Sequence, residues 1–179
     1  ARHNVLVRRS AAIEALGGAT ILCVDKTGTL TANKMELAQA WVNGRTSDLR
    51  KGAPADAGVT SLLQSAALAS AVHGFDPMDR AILANATIGD VADTREPGRT
   101  WPLRPERLAV IQVWRRADAE IAAAKGAPET IFRMCGLSAQ EIATVHHAVD
   151  EMAADGLRVL GVASATYPSG FPSNPDDAS

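Results

Sequence analysis

The residues with the most chemistry in this sequence lie within one heptapeptide, Asp25-Lys26-Thr27-Gly28-Thr29-Leu30-Thr31. The run ahead of it, Ala19 to Asp25, carries Ile21, Leu22 and Val24 and reads as a short buried strand. An aspartate at the C-terminal end of such a strand stands where open α/β sheets place their chemistry. Its carboxylate can act as a nucleophile toward a phosphoryl group. Backbone N–H groups and hydroxyls of the following turn would hold the phosphate oxygens, and Gly28 permits the tight bend. Such a transfer needs mainly positioning and charge neutralisation, normally with Mg²⁺ bridging carboxylate and phosphate.

The elements around this turn are legible from spacing and caps. Ser10 to Leu16 reads as a helix stopped by Gly17-Gly18. Met35 to Val42 alternates weakly, and Asn43-Gly44 is a hairpin signal, with a loop expected over 45–58. Val59 to Val72 has helical spacing. Asp76-Pro77-Met78-Asp79 opens a further helix to about Ala86, with Asp at the cap and Pro at the first turn. Residues 90–106 read as loop or edge structure. Leu108–Trp114 and Ala119–Lys125 read as adjacent strands turning at Ala117-Asp118. A short helix follows over Pro128–Met134. Ser138 and Glu141 form a capping-box pattern for a helix to Ala154, and Leu157–Ala165 is a last strand.

Composition sets the outer limits. The chain has 179 residues and a formal net charge of −2, with 46% hydrophobic and 21% charged residues, which fits a globular class and excludes a collagen-like or disordered one. The near-neutral charge argues against a dedicated nucleic-acid binder. Cys23 and Cys135 are too few for a disulfide framework, so a reducing setting is expected, with Cys23 a small strand residue and Cys135 a buried or helix-end thiol. No apolar run approaches the ~18 residues of a membrane span. His146 and His147, adjacent on a helix, point about 100° apart and are expected to be surface and partly buried positions without a metal.

The heptapeptide DKTGTLT resembles the phosphorylation signature of the P-type cation-transporting ATPases, of the haloacid-dehalogenase-like superfamily. Simple phosphatases of that superfamily carry D-x-D-G-T, whose second Asp serves as acid and base for rapid hydrolysis. Here that position is Thr27, which disfavours the phosphatase alternative. Three further segments agree in type and order. The lead-in VLVRRSAAIEALGGATILCVD is similar to the family's stalk helix, KGAPE (Lys125 to Glu129) to a nucleotide-domain motif, and DGLRVL (Asp155 to Leu160) to the motif that follows it.

The resemblance implies an α/β chain whose nucleotide-binding domain is α+β, mainly an antiparallel twisted sheet flanked by helices, plus an incomplete piece of a Rossmann-like phosphorylation domain. The boundaries it implies are 1–32 for the stalk end and first phosphorylation-domain strand, 33–166 for the nucleotide-binding domain and 167–179 for a linker back. It makes Asp25 the phosphorylated nucleophile, with Lys26, Thr27, Gly28 and Thr29 as its turn. It also implies Mg²⁺ held by the Asp25 carboxylate and the Thr27 backbone carbonyl, together with residues outside this sequence. In the nucleotide domain it implies ATP contacts from Lys125 and Gly126, a phosphate-facing Arg158, an adenine amino contact from Asp79 and adenine stacking from Trp101.

The function implied is the ATP-binding cytosolic part of a pump that drives a cation across a membrane, this stretch by itself binding nucleotide without turnover. A stand-alone nucleotide-binding module is the other reading. The implied partners are ATP, the rest of the phosphorylation domain, the actuator domain, the transmembrane helices and the transported cation. The overall style leans to the calcium-type branch, with the proton-type branch beside it, in a bacterial plasma membrane.

Overall fold

The computed structural model describes residues 10–52, 56–72, 75–86, 96–168 and 170–175. The chain divides into two units at Lys34/Met35. In the first, helix α1 (Ser10–Gly17) ends at the expected glycines. The strand expected over 19–25 does not form. A strand is held by ladder bonds to a neighbour, and no described strand pairs with this stretch. Its apolar side chains stand in solvent, with Ile21 81% and Leu22 78% exposed, and Cys23 is exposed rather than packed in a strand.

The second unit opens with a hairpin, β1 (Gln39–Val42) and β2 (Arg45–Asp48). Asn43 and Gly44 both take positive φ, 51° and 80°, the mirror-image turn that matches strand twist. The second strand therefore occupies part of the stretch expected as loop. Helix α2 (Ala57–Leu68) starts where the Asp56 carboxylate accepts the N–H groups of Gly58 and Val59 at 2.8 and 3.1 Å. Its Val59 and Leu63 pack on Ala40 and Leu49 of the hairpin region. Helix α3 (Pro77–Asn85) begins as expected, Asp76 accepting the Met78 N–H at 2.8 Å.

The main sheet has the order β3 (Arg99–Trp101), β4 (Ala109–Arg116), β5 (Ala119–Gly126), β6 (Gly161–Tyr167), every pair antiparallel. Between β5 and β6 run helices α4 (Pro128–Met134) and α5 (Ala139–Ala154), the latter opened by the Ser138/Glu141 capping box. The last strand starts at Gly161, four residues later than the sequence predicts. This is the α/β architecture with an antiparallel sheet and flanking helices that the sequence leads one to expect. Alternation gives the sheet two faces. On one, Ile111, Val113, Ala122 and Ala124 pack with Ile131 of α4 and with Phe171. On the other, Trp114, Ile121 and Ala123 pack with Leu68 and Ala69 at the end of α2. Among the described residues no helix is long and apolar enough to cross a membrane.

The stretch read as linker is tied to the sheet at Phe171. Glu120 accepts the Phe171 N–H at 2.7 Å and the Arg99 guanidinium at 2.5 Å, while Arg99 also donates to the Phe171 carbonyl at 2.9 Å. The Phe171 N–H and then Arg99 outweigh desolvation and hold the Glu120 carboxyl below its ordinary 4.5. A depressed folded-state pKa stabilises the fold above the unfolded value and loses that contribution as pH falls through the folded one. Melting temperature should therefore decline as pH drops below 4.5, and Glu120→Gln should make that decline shallower. Glu141, also lowered, by the Ser138 hydroxyl and then its N–H, titrates in the same window, so part of the slope should survive. An unchanged slope in Glu120→Gln would remove this contact from the acid response.

Candidate nucleotide site

Two of the residues singled out in the sequence meet on one face of the sheet. Lys125, next to last in β5, pairs in register with Val110 and Val162 and points to the α2/α3 side. It is 6% exposed. Its ammonium donates to the carboxylate of Asp79, the third residue of α3, which is 8% exposed. The other Asp79 oxygen accepts the Ala71 N–H at 3.0 Å. The sequence reading missed Ser70, which is 0% exposed and whose Oγ accepts a second Lys125 N–H at 2.8 Å. No spacing rule relates Ser70 to a lysine 55 positions on, and a serine after a helix end carries no signal of its own.

The local reasons for this geometry are plain. Ala123, the neighbour of Lys125 on the same face of β5, is small and leaves the lysine side chain room. A lone buried ammonium is costly, and it is held by a carboxylate and by a hydroxyl at the C-terminal end of α2, the negative end of that helix dipole.

Gly126 is explained by packing. A Cβ there would stand 2.1 Å from the Leu108 carbonyl oxygen and 2.6 Å from the Ala109 Cα. Its lack of a side chain lets β4 and β5 close together, whatever approaches from outside. Arg158 is exposed, three residues before β6 and thus toward the Lys125 end of β5.

Trp101 is not brought to Lys125. Its register partner is Ile111, so it faces the α4 side of the sheet, opposite to Lys125. There it is half-buried, with its ring 5.3 Å from Phe171 and the Arg99 guanidinium 5.4 Å over it. Strand alternation, not distance along the chain, decides which face a side chain serves, and it sets Trp101 on the face opposite to Lys125. Trp101→Ala should cost about 2–4 kcal/mol in chemical denaturation, with nucleotide affinity changed by less than about twofold. A tenfold loss of affinity in the folded variant would return Trp101 to the nucleotide site. Trp114 is core, 1% exposed, its indole N–H donating to the Leu68 carbonyl at 2.7 Å.

In the first unit Asp25, Lys26, Thr27, Gly28 and Thr29 are all exposed. The Thr31 N–H closes the turn onto the Lys26 carbonyl at 3.1 Å, and Gly28 sits at φ 80°, the left-handed region that favours glycine. The Gly28 N–H points back to the Thr31 hydroxyl at 3.3 Å. Asp25 precedes this turn in extended backbone, and its side chain makes no capping bond. His146 is half-buried, edge-on to Phe132, and His147 is exposed beside Glu151. Cys135 caps α4, and burial pushes its thiol up.

The buried Lys125–Asp79 pair lies at the KGAPE strand of a chain that also carries DKTGTLT, and both motifs resemble those of the P-type cation-transporting ATPases. Over its matched span the chain is a P-type ATPase sequence. Two curated relatives from Leishmania donovani, "Probable proton ATPase 1A" and "Probable proton ATPase 1B", are each 34% identical to it over 167 residues. The match takes in 90% of this chain and 16% of either relative. No family model matches the chain.

Proposed function

We propose that this chain is the ATP-binding part, together with the phosphorylation turn, of an ion-translocating P-type ATPase, an ATP hydrolase acting in a membrane. The observation that carries this reading is the meeting of Asp79 and Lys125, from motifs 46 positions apart, in one buried cluster. Residues 33–166 form the nucleotide-binding domain on this reading, and 1–32 and 167–179 lead from and to the phosphorylation domain. Lys125 offers a positive charge to the nucleotide. Asp79, whose oxygens have lone pairs beyond those taken by Lys125 and Ala71, accepts from the adenine amino group. Gly126 lets the nucleotide come near the strand, and Arg158 faces phosphate.

In the transfer, an Asp25 carboxylate oxygen attacks the γ-phosphorus. The bond from that phosphorus to the bridging oxygen breaks, and ADP leaves with the electron pair. Thr27, in place of an acid–base carboxylate, leaves the aspartyl-phosphate long-lived enough to drive a conformational change. The exposed Asp25 carboxylate and Thr27 carbonyl are hard oxygen donors that suit Mg²⁺, which would neutralise phosphate charge when bound. They are a partial set, because no group of three or more acidic, His or Cys residues able to hold a metal occurs among the described residues.

The parent on this reading is an integral membrane protein with this part in the cytosol, working with its actuator domain, transmembrane helices and transported cation. The two Leishmania relatives are named proton ATPases, which moves the reading to the proton-type branch and away from the calcium-type one. They also lend no support to a bacterial membrane.

Calorimetry with ATP, ADP and AMP, each with and without Mg²⁺, tests the domain division. Binding with a Kd of order 10⁻⁴–10⁻³ M, little changed by Mg²⁺ and without sustained hydrolysis, is expected from this chain. Micromolar affinity that requires Mg²⁺, or steady phosphate release, would overturn it.

A further inference from the structure

We propose that Ser70 is a positioning residue for Lys125, fixing the direction in which the ammonium offers its remaining N–H to the nucleotide. The inference rests on the nucleotide-site reading above. An ammonium carries three N–H donors on a freely turning single bond. Two are taken among the described residues, one by Asp79 and one by Ser70 Oγ at 2.8 Å. With two directions fixed, tetrahedral geometry fixes the third. Asp79 alone would leave the group free to turn about that contact.

Ser70 is held to this task. Its single hydroxyl proton is donated to the Ala66 carbonyl at 2.8 Å, so toward Lys125 it can only accept. It is 0% exposed, and its own N–H is bound to the Ala67 carbonyl, so neither backbone nor side chain is free to reorient. Alanine would keep the Cβ and lose only the hydroxyl. What the hydroxyl adds is an acceptor at a fixed point, beside the C-terminal end of α2, whose carbonyls also favour a cation.

The test compares the wild-type chain, Ser70→Ala and Ser70→Thr in ATP titrations without Mg²⁺. The ¹⁵N–¹H signal of the Lys125 ammonium and the amide exchange of β5 are followed in the absence of nucleotide. Ser70→Ala should weaken ATP binding about tenfold and speed exchange of the Lys125 ammonium hydrogens, with β5 amide protection retained. Ser70→Thr, which keeps the hydroxyl, should restore affinity to within about threefold of wild type. Should threonine overfill the site and unfold the chain, the ammonium signal of Ser70→Ala decides alone. Wild-type affinity and ammonium exchange in Ser70→Ala would overturn the inference and leave the nucleotide site standing. Loss of β5 protection together with affinity would reduce Ser70 to a structural role and overturn it too. Absence of ATP binding by the wild-type chain at millimolar nucleotide would overturn the nucleotide-site reading itself.

Discussion

On the proposed reading, Asp25→Asn in the full-length protein should abolish the acid-stable label left by γ-labelled ATP. An amide has no carboxylate oxygen with which to attack phosphorus, so the covalent step is lost outright. The substitution is a clean one. Asp25 is exposed and its side chain makes no capping bond, so the change should alter stability by less than about 0.5 kcal/mol. ATP binding should persist, because Lys125, Asp79 and Ser70 belong to the other unit of the chain. Retained labelling in Asp25→Asn would move the nucleophile elsewhere and dissolve the reading of the heptapeptide.

Lys125→Met should damage both the fold and the site, and the two losses can be separated. Removing the ammonium leaves the Asp79 carboxylate buried with, among the described residues, only the Ala71 N–H for a partner, which should cost about 3–5 kcal/mol in chemical denaturation. Nucleotide affinity, measured where the variant is fully folded, should fall tenfold to a hundredfold, about 1.4–2.7 kcal/mol. Adding Asp79→Leu removes the stranded charge and should recover most of the stability, since apolar residues replace buried ion pairs well. It should recover none of the affinity. A double variant that regains nucleotide binding would show the pair to be structural only. A Lys125→Met chain as stable as wild type would contradict the burial of the pair.

Local chemistry made a large part of the fold legible beforehand. Asp76-Pro77 marked the start of α3, Ser138 with Glu141 that of α5, and Asn43-Gly44 the first hairpin, because caps and turns are settled by residues within a few positions of one another. The β4–β5 pair followed from two apolar runs and the turn between them. The strand expected at 19–25 failed for the opposite reason. Ile21, Leu22 and Val24 have strand character, but a strand needs a paired neighbour, and none among the described residues supplies one.

For the site, the amino-acid sequence pointed to Asp25 through its own residue types and setting, and to Asp79 and Lys125 through the family resemblance of the short motifs that hold them. The tertiary structure alone decided which of the candidates meet. Strand alternation turned Lys125 toward α2 and α3 and Trp101 toward α4 and Phe171, although the two residues lie on strands of one sheet. Helix packing brought Ser70, absent from every motif, to 2.8 Å from the Lys125 ammonium. A buried cation takes whatever acceptors the fold places around it, and that neighbourhood is fixed by contacts between elements far apart in sequence.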